Sequence, residues 1–231
     1  MEKFVGTTAD LYENLVDSGK HILIAGMTGS GKSVIMNGMI NEILLRNVTQ
    51  HMVILCDVKM VEFSKYENTK HCVNCATTLP AVERALKGVM RLIETRLIEM
   101  RNKGIKQYDE TTVHLFIDEL ADLILTSKES TKLLQRICQI GRAAGVQVIC
   151  ATQCPLAQVI PTRIKVNFPI IIGLHTATAQ HSRNILEVNG CEELPMYGEA
   201  LIMYPTIGIK HELIPMIPEK EIDRLIEYDR R

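Results

Sequence analysis

Residues Gly26-Met27-Thr28-Gly29-Ser30-Gly31-Lys32-Ser33 have the types and spacing of a phosphate-binding turn. They read G-x-x-x-x-G-K-S/T, the P-loop, and they follow the apolar run His21-Ile22-Leu23-Ile24-Ala25. Glycines let backbone N–H groups converge on phosphate oxygens with no Cβ in the way. A helix starting at the end of the loop adds positive potential at its N-terminus. In that arrangement the Lys32 ammonium reaches the β- and γ-phosphates of a nucleotide. The Ser33 hydroxyl reaches Mg²⁺.

Three other apolar runs end in polar groups. Val113-His114-Leu115-Phe116-Ile117 is followed by Asp118-Glu119. Paired acids at the carboxyl end of a buried strand sit where open α/β sheets bind ligands. Asp118 can hold Mg²⁺ through its water shell, which leaves Glu119 free to polarise an attacking water. The run 146–151 ends in Thr152-Gln153. A glutamine there can bond the γ-phosphate or the water, or cap the next turn. Asp57-Val58-Lys59 ends a third run. Acid and base at i and i+2 share one face of an extended chain, so they can bind a neighbour or pair with each other.

The elements that must position these groups show in the hydrophobic pattern. Apolar runs at 22–25, 52–56, 113–117, 146–151 and 169–174 are nearly continuous. That pattern predicts strands covered on both faces, as in a parallel α/β sheet. Helical stretches lie between them. One spans 33–46. Thr78-Leu79-Pro80 opens a long one to about 101, with Val82, Leu86, Val89, Ile93, Leu97 and Met100 at three- or four-residue spacing. A third spans 129–144 and is ended by Gly145. Strand–helix alternation with a glycine-rich first turn predicts an open, doubly wound sheet. Further on, 200–204 and 207–214 predict extra strands, with a hairpin about Pro205-Thr206, and 219–228 a terminal helix. The expected organisation is one domain over 20–231, preceded by a short flexible extension, 1–19.

Composition bounds the class. Hydrophobic residues are 46% of the 231, enough for a full core, while aromatics are 4% and Trp is absent. The core must therefore be built from Ile, Leu, Val and Met. The net charge of -1 excludes a wholly basic nucleic-acid coat but not a local basic pore or patch. Seven cysteines at irregular spacing suit a reducing compartment. A single C-x-x-C, Cys72 to Cys75, lacks a second pair at metal-finger spacing and reads as loop thiols rather than a zinc site. No apolar run approaches the ~18–20 residues of a membrane span. Met1-Glu2-Lys3-Phe4 carries no signal-peptide pattern. The expectation is a soluble cytoplasmic protein.

At this point the chain resembles the FtsK/SpoIIIE/HerA branch of P-loop ATPases, above all the motor domain of FtsK-type DNA translocases. The resemblance is carried by HILIAGMTGSGKS from His21, CDVKMVEF from Cys56, FIDELADL from Phe116, GRAAGVQV from Gly141 and ATQCP from Ala151. Further matches are Ile164-Lys165-Val166-Asn167-Phe168-Pro169 and Ser182-Arg183-Asn184-Ile185-Leu186. The resemblance implies a RecA-like fold with a mainly parallel sheet in the order 5-1-4-3-2, extra strands near the C-terminus and Gln153 between nucleotide and acids. It implies ATP and Mg²⁺ as cofactors, a hexameric ring of identical subunits, and double-stranded DNA as the partner. It also implies that an arginine of one subunit reaches the γ-phosphate bound by the next; Arg183, Arg142 and Arg163 are the candidates, in that order for the first two. Three departures stand out. Cys154 and Ile171 replace family arginines, and Val58 replaces a proline.

Two function classes follow. The leading one is an ATP-driven DNA translocase or DNA-transfer motor, of the minimal kind expected on plasmids, phages or conjugative elements. The alternative is an ATPase module of a secretion system or other assembly that binds protein; a membrane partner is compatible with either. Lys65, Lys70, Lys128 and Lys132, in or near loops after strands, are candidates for DNA contact.

Overall fold

The computed structural model describes residues 9–60, 62–153, 160 and 162–230. Cys154 and Pro155, part of the ATQCP motif, lie outside the described residues. Among those described, eight strands form one sheet. They are β1 (Ile22–Ala25), β2 (His51–Cys56), β3 (Cys72–Ala76), β4 (Thr112–Ile117), β5 (Val146–Thr152), β6 (Ile170–Gly173), β7 (Glu199–Tyr204) and β8 (Gly208–Leu213). Their order is β3-β2-β4-β5-β1-β6-β7-β8. The first six pair in parallel, and β7 and β8 close one edge as an antiparallel hairpin. The five runs predicted as strands thus lie 5-1-4-3-2, with β3 added outside at one edge.

Both faces of the sheet are covered, which is why its strands read as continuous apolar runs. On one face, Ile22, Ile24 and Phe116 pack with Ile35, Met36 and Met39 of α2 (Lys32–Leu44). On the other, Leu23, Val148 and Leu115 pack with Leu86, Val89 and Ile93 of α3 (Leu79–Lys103) and with Leu134 and Ile137 of α5 (Lys128–Ile140). The start of α3 is set by Thr78, whose side chain accepts from the Ala81 N–H, and its end by Gly104 at φ 68. Two polar residues interrupt the apolar strands with a structural purpose. The Gln147 amide donates to the carbonyls of Leu15 and Lys20, and its oxygen accepts from His114 Nδ1 at 2.7 Å. Burial pushes His114 down to about 3, so it stays neutral there.

The structure departs from the sequence reading at four places. Cys72 and Cys75 lie on the edge strand β3, not in a loop. The strand is short and carries Asn74 at its centre, a residue depleted in strands, so it leaves little pattern. The helix expected over 129–144 ends at Ile140, with Gly141 at its cap; Gly145 makes the following turn at φ 69. A short helix, α4 (Leu120–Thr126), precedes it where none was expected. Finally, part of the stretch set apart as a flexible extension is α1 (Ala9–Asp17), whose Tyr12, Leu15 and Val16 are buried against α2. Nine residues are too few for a periodicity to stand out. Among the described residues no helix is long and apolar enough to cross a membrane.

The seat for α1 is Gly38 of α2, where any Cβ would collide with the Tyr12 ring. The Tyr12 hydroxyl donates onward to the Pro215 carbonyl. Gly38→Leu is expected to destabilise the domain by about 1–3 kcal/mol through overpacking. Urea denaturation checks this. A midpoint unaffected by the substitution means that α1 contributes nothing to the fold.

Candidate nucleotide-binding site

Chain connectivity around β1 builds the loop. The Gly26 N–H donates to Thr152 O and the Met27 N–H to His175 O, which ties the loop to the ends of β5 and β6. A Cβ on Gly26 would lie 2.6 Å from Ser30 Oγ and 2.7 Å from Leu174 Cβ, so only glycine fits. Gly29 and Gly31 adopt φ 80 and 101, a region that side chains disfavour. Among the described residues, the N–H groups of Gly29, Gly31, Lys32 and Ser33 find no acceptor. The N-cap of α2 is Gly31, which offers no side-chain acceptor either. Unsatisfied N–H groups at a helix N-terminus form an anion site.

Lys32 is folded back into this cradle. Its Nζ donates to Gly26 O at 2.9 Å and Met27 O at 2.8 Å. Burial lowers its pKa, and the charges of Glu119 and Asp118 oppose that shift. The buried Ser30 hydroxyl has no hydrogen-bond partner. Orphaned donors, a glycine cradle and a buried ammonium fit a nucleotide polyphosphate.

The acids come from the adjacent strand ends. Cys56 pairs with Ile117, so Asp57 and Asp118 leave β2 and β4 at the same level. Asp57 is fully buried; its Oδ2 accepts from the N–H groups of Glu62 and Phe63 at 2.8 and 2.9 Å, and its Oδ1 has no partner. Burial, then the charges of Asp57, Glu62 and Glu119, raise Asp118 to about 6. A site that stacks negative charge against a partly buried carboxylate favours a cation, and with Ser33 on the first turn of α2 it fits Mg²⁺.

Glu119 caps α4 by accepting from the Ala121 N–H at 3.3 Å. It also accepts from the Gln153 N–H, at 3.3 and 3.2 Å to its two oxygens, and lies 3.9 Å from Lys59 Nζ. The sequence led us to expect a free carboxylate; the structure holds it on three sides. Gln153 in turn accepts from the Thr28 hydroxyl at 2.7 Å. Because β5 lies between β1 and β4, this one residue bridges the P-loop and the acid. Asp57 and Lys59 are not paired with each other. Asp57 anchors the following backbone, and Lys59 turns to Glu119 and to Asp122 at 3.3 Å. Neither those contacts nor the Thr28–Gln153 bond shows in the sequence, beyond the placement of charged groups at strand ends.

The candidate arginines are separated. Arg183 is exposed on α7 (Ala179–Leu186), after β6, and donates to Asn189 Oδ1 at 2.7 Å and Gln180 Oε1 at 3.0 Å. Arg142 is exposed in the turn before β5, at the opposite end of the sheet from the P-loop. Arg163 is exposed on the short α6 (Thr162–Lys165). Of the lysines, Lys128 and Lys132 lie on α5 rather than in a loop, Lys65 in the 3₁₀ turn Ser64–Tyr66, and Lys70 just before β3.

Comparison with known proteins agrees with this geometry. The FtsK/SpoIIIE family matches residues 4–114. DNA translocase FtsK of Leptospira interrogans serovar copenhageni is 34% identical over 91% of this chain and 24% of that protein. DNA translocase FtsK of Helicobacter pylori J99 is 36% identical over 90% of this chain and 27% of its own length. The chain therefore spans about a quarter of the curated relatives it matches. Among solved structures, the pCW3 conjugation coupling protein TcpA, a monomer with ATPγS, superposes with a TM-score of 0.80 at 23% identity, over 92% of this chain and 66% of TcpA. The cytoplasmic domain of the type VII secretion ATPase EccC from Thermomonospora curvata gives 0.75 at 21% identity, over 90% and 27%. The fold, the P-loop with its acids, and these relatives together make the chain a P-loop ATPase domain similar to those of the FtsK/SpoIIIE family.

Proposed function

We propose that this domain hydrolyses ATP to move duplex DNA through a ring of identical subunits. The observation that carries the hydrolytic part is Gln153, which touches the P-loop through its side chain and Glu119 through its backbone. A γ-phosphate arriving at the loop competes for the Thr28 hydroxyl and the Gln153 amide, and so reports to the acid. Lys32 exchanges the Gly26 and Met27 carbonyls for phosphate oxygens. The free N–H groups of Gly29, Gly31, Lys32 and Ser33 receive the remaining phosphate charge. Ser33 and Asp118 would hold Mg²⁺, which when bound would neutralise charge on the phosphate oxygens. Glu119 accepts the proton of the attacking water.

Arg183 is our choice for the group supplied to the next subunit's γ-phosphate. It is exposed, and among the described residues its guanidinium hydrogen-bonds two neutral oxygens, which it can exchange for phosphate. Arg142 is the second choice. It lies at the far end of the sheet from its own P-loop, so it too would serve a neighbour. The DNA part rests on the identity to DNA translocases over nine-tenths of this chain. A hexameric assembly and a cytoplasmic setting belong to the same reading.

Duplex DNA is expected to stimulate ATP turnover. The stimulation should fall steeply as salt rises, because phosphate contacts release counterions. Turnover is measured with and without DNA at rising salt, beside a mass measurement of the assembly. An assembled protein whose turnover ignores DNA at low salt would point to protein cargo instead.

A further inference from the structure

Glu119 has both carboxylate oxygens engaged by backbone N–H groups. One oxygen accepts from the N–H groups of Ala121 and Gln153; the other accepts from the Gln153 N–H and lies 3.9 Å from Lys59 Nζ. Its side chain is 8% exposed. Every accepted bond takes up a lone pair that a water proton would need. Lys59 is the only side chain among these partners, and its nearer acid is Asp122, at 3.3 Å.

The backbone that carries Lys59 is a pinned turn, so movement belongs to its half-exposed side chain. Asp57 fixes its base by accepting from the Glu62 and Phe63 N–H groups. Past that anchor, Met60 sits at φ 56, an unfavourable region for an unbranched side chain, and Val58 and Met60 are exposed. The ion pair itself lines a cavity of about 180 Å³, in which Lys59, Glu119 and Asp122 meet Val58, Leu79 and Leu123.

We propose that Lys59 is a positioning residue that restrains Glu119. The ammonium lies between Asp122, its nearer partner at 3.3 Å, and the Glu119 carboxylate at 3.9 Å, which it draws toward itself. Turnover requires Lys59 to draw away from Glu119 while keeping Asp122, on the first turn of α4, and so leave Glu119 to the water. This rests on Glu119 being the hydrolytic acid.

The test compares steady-state kcat and KM for ATP, at one protein concentration, in Lys59→Met, Lys59→Arg, Asp122→Asn, Glu119→Gln and the Lys59→Met/Glu119→Gln double variant. Lys59→Met is expected to raise kcat about two- to five-fold, the effect of losing a partly exposed ion pair, with KM unchanged. Lys59→Arg should keep the wild-type rate. Asp122→Asn should lower kcat, because Lys59 then has only Glu119 to hold. The double variant should be as inactive as Glu119→Gln. A role in folding alone would move Lys59→Met and Asp122→Asn in the same direction. Opposite signs support the restraint. Equal signs, or a kcat that is unchanged or reduced in Lys59→Met while Glu119→Gln is inactive, overturn it. Wild-type turnover in Glu119→Gln, with Lys59 intact, removes the acid itself and the restraint with it.

Discussion

Glu119→Gln is expected to bind ATP like the wild type and to turn it over about 10²–10⁴-fold more slowly, the span for a lost general base. The amide preserves the size of the side chain, and its oxygen still accepts from the Ala121 and Gln153 N–H groups. The α4 cap and the link to the sensor strand therefore survive. What is lost is the ability to take a proton. The contrast is Lys32→Ala, which removes the ammonium beside the phosphate cradle and weakens binding itself. Nucleotide titration followed by a single-turnover measurement separates the two. Equal single-turnover rates in Glu119→Gln and the wild type would remove Glu119 from the catalytic role.

Mixing Arg183→Ala with Lys32→Ala subunits should restore part of the activity that each lacks alone. A trans-acting arginine is worth about 10³–10⁵ in turnover, so each single variant should be nearly inactive. Arg183→Ala keeps a good phosphate site and loses the group it offers a neighbour. Lys32→Ala keeps that group and loses the site. In a mixed ring some interfaces join a good site to a good arginine. Local damage is a small concern, because Arg183 is exposed and its partners, Asn189 and Gln180, are neutral. If subunit exchange is demonstrated and the mixture stays inactive, Arg183 is not the group. The same cross with Arg142→Ala then decides between the two.

Much of this molecule was legible in order of locality. The P-loop is eight consecutive residues, and its strand, turn and helix are each dictated by local pattern, so Gly26 to Ser33 needed no tertiary information. The buried strands were legible because both faces are covered, which leaves no alternation to misread. The edge strand β3 was not, because a strand exposed on one side and carrying Asn74 has neither signal. The helix α1 was missed for a related reason: its nine residues fold by docking Tyr12 onto Gly38, a contact across the chain.

At the site, the sequence by itself determined which chemical groups are present: a lysine and serine after a glycine turn, and Asp118, Glu119 and Gln153 at strand ends. These follow from runs of adjacent residues, whose meaning survives without knowledge of what lies beside them. Only the tertiary structure decided which groups meet. Strand order sets Gln153 between Thr28 and Glu119, places Asp57 beside Asp118 and so raises that carboxyl, and turns Lys59 to Glu119 and Asp122 rather than to Asp57. The reason is physical. A side chain's position along its own strand is set by local backbone geometry, but its neighbours across the sheet come from residues roughly 30 to 130 positions away, brought together by burial of two apolar faces.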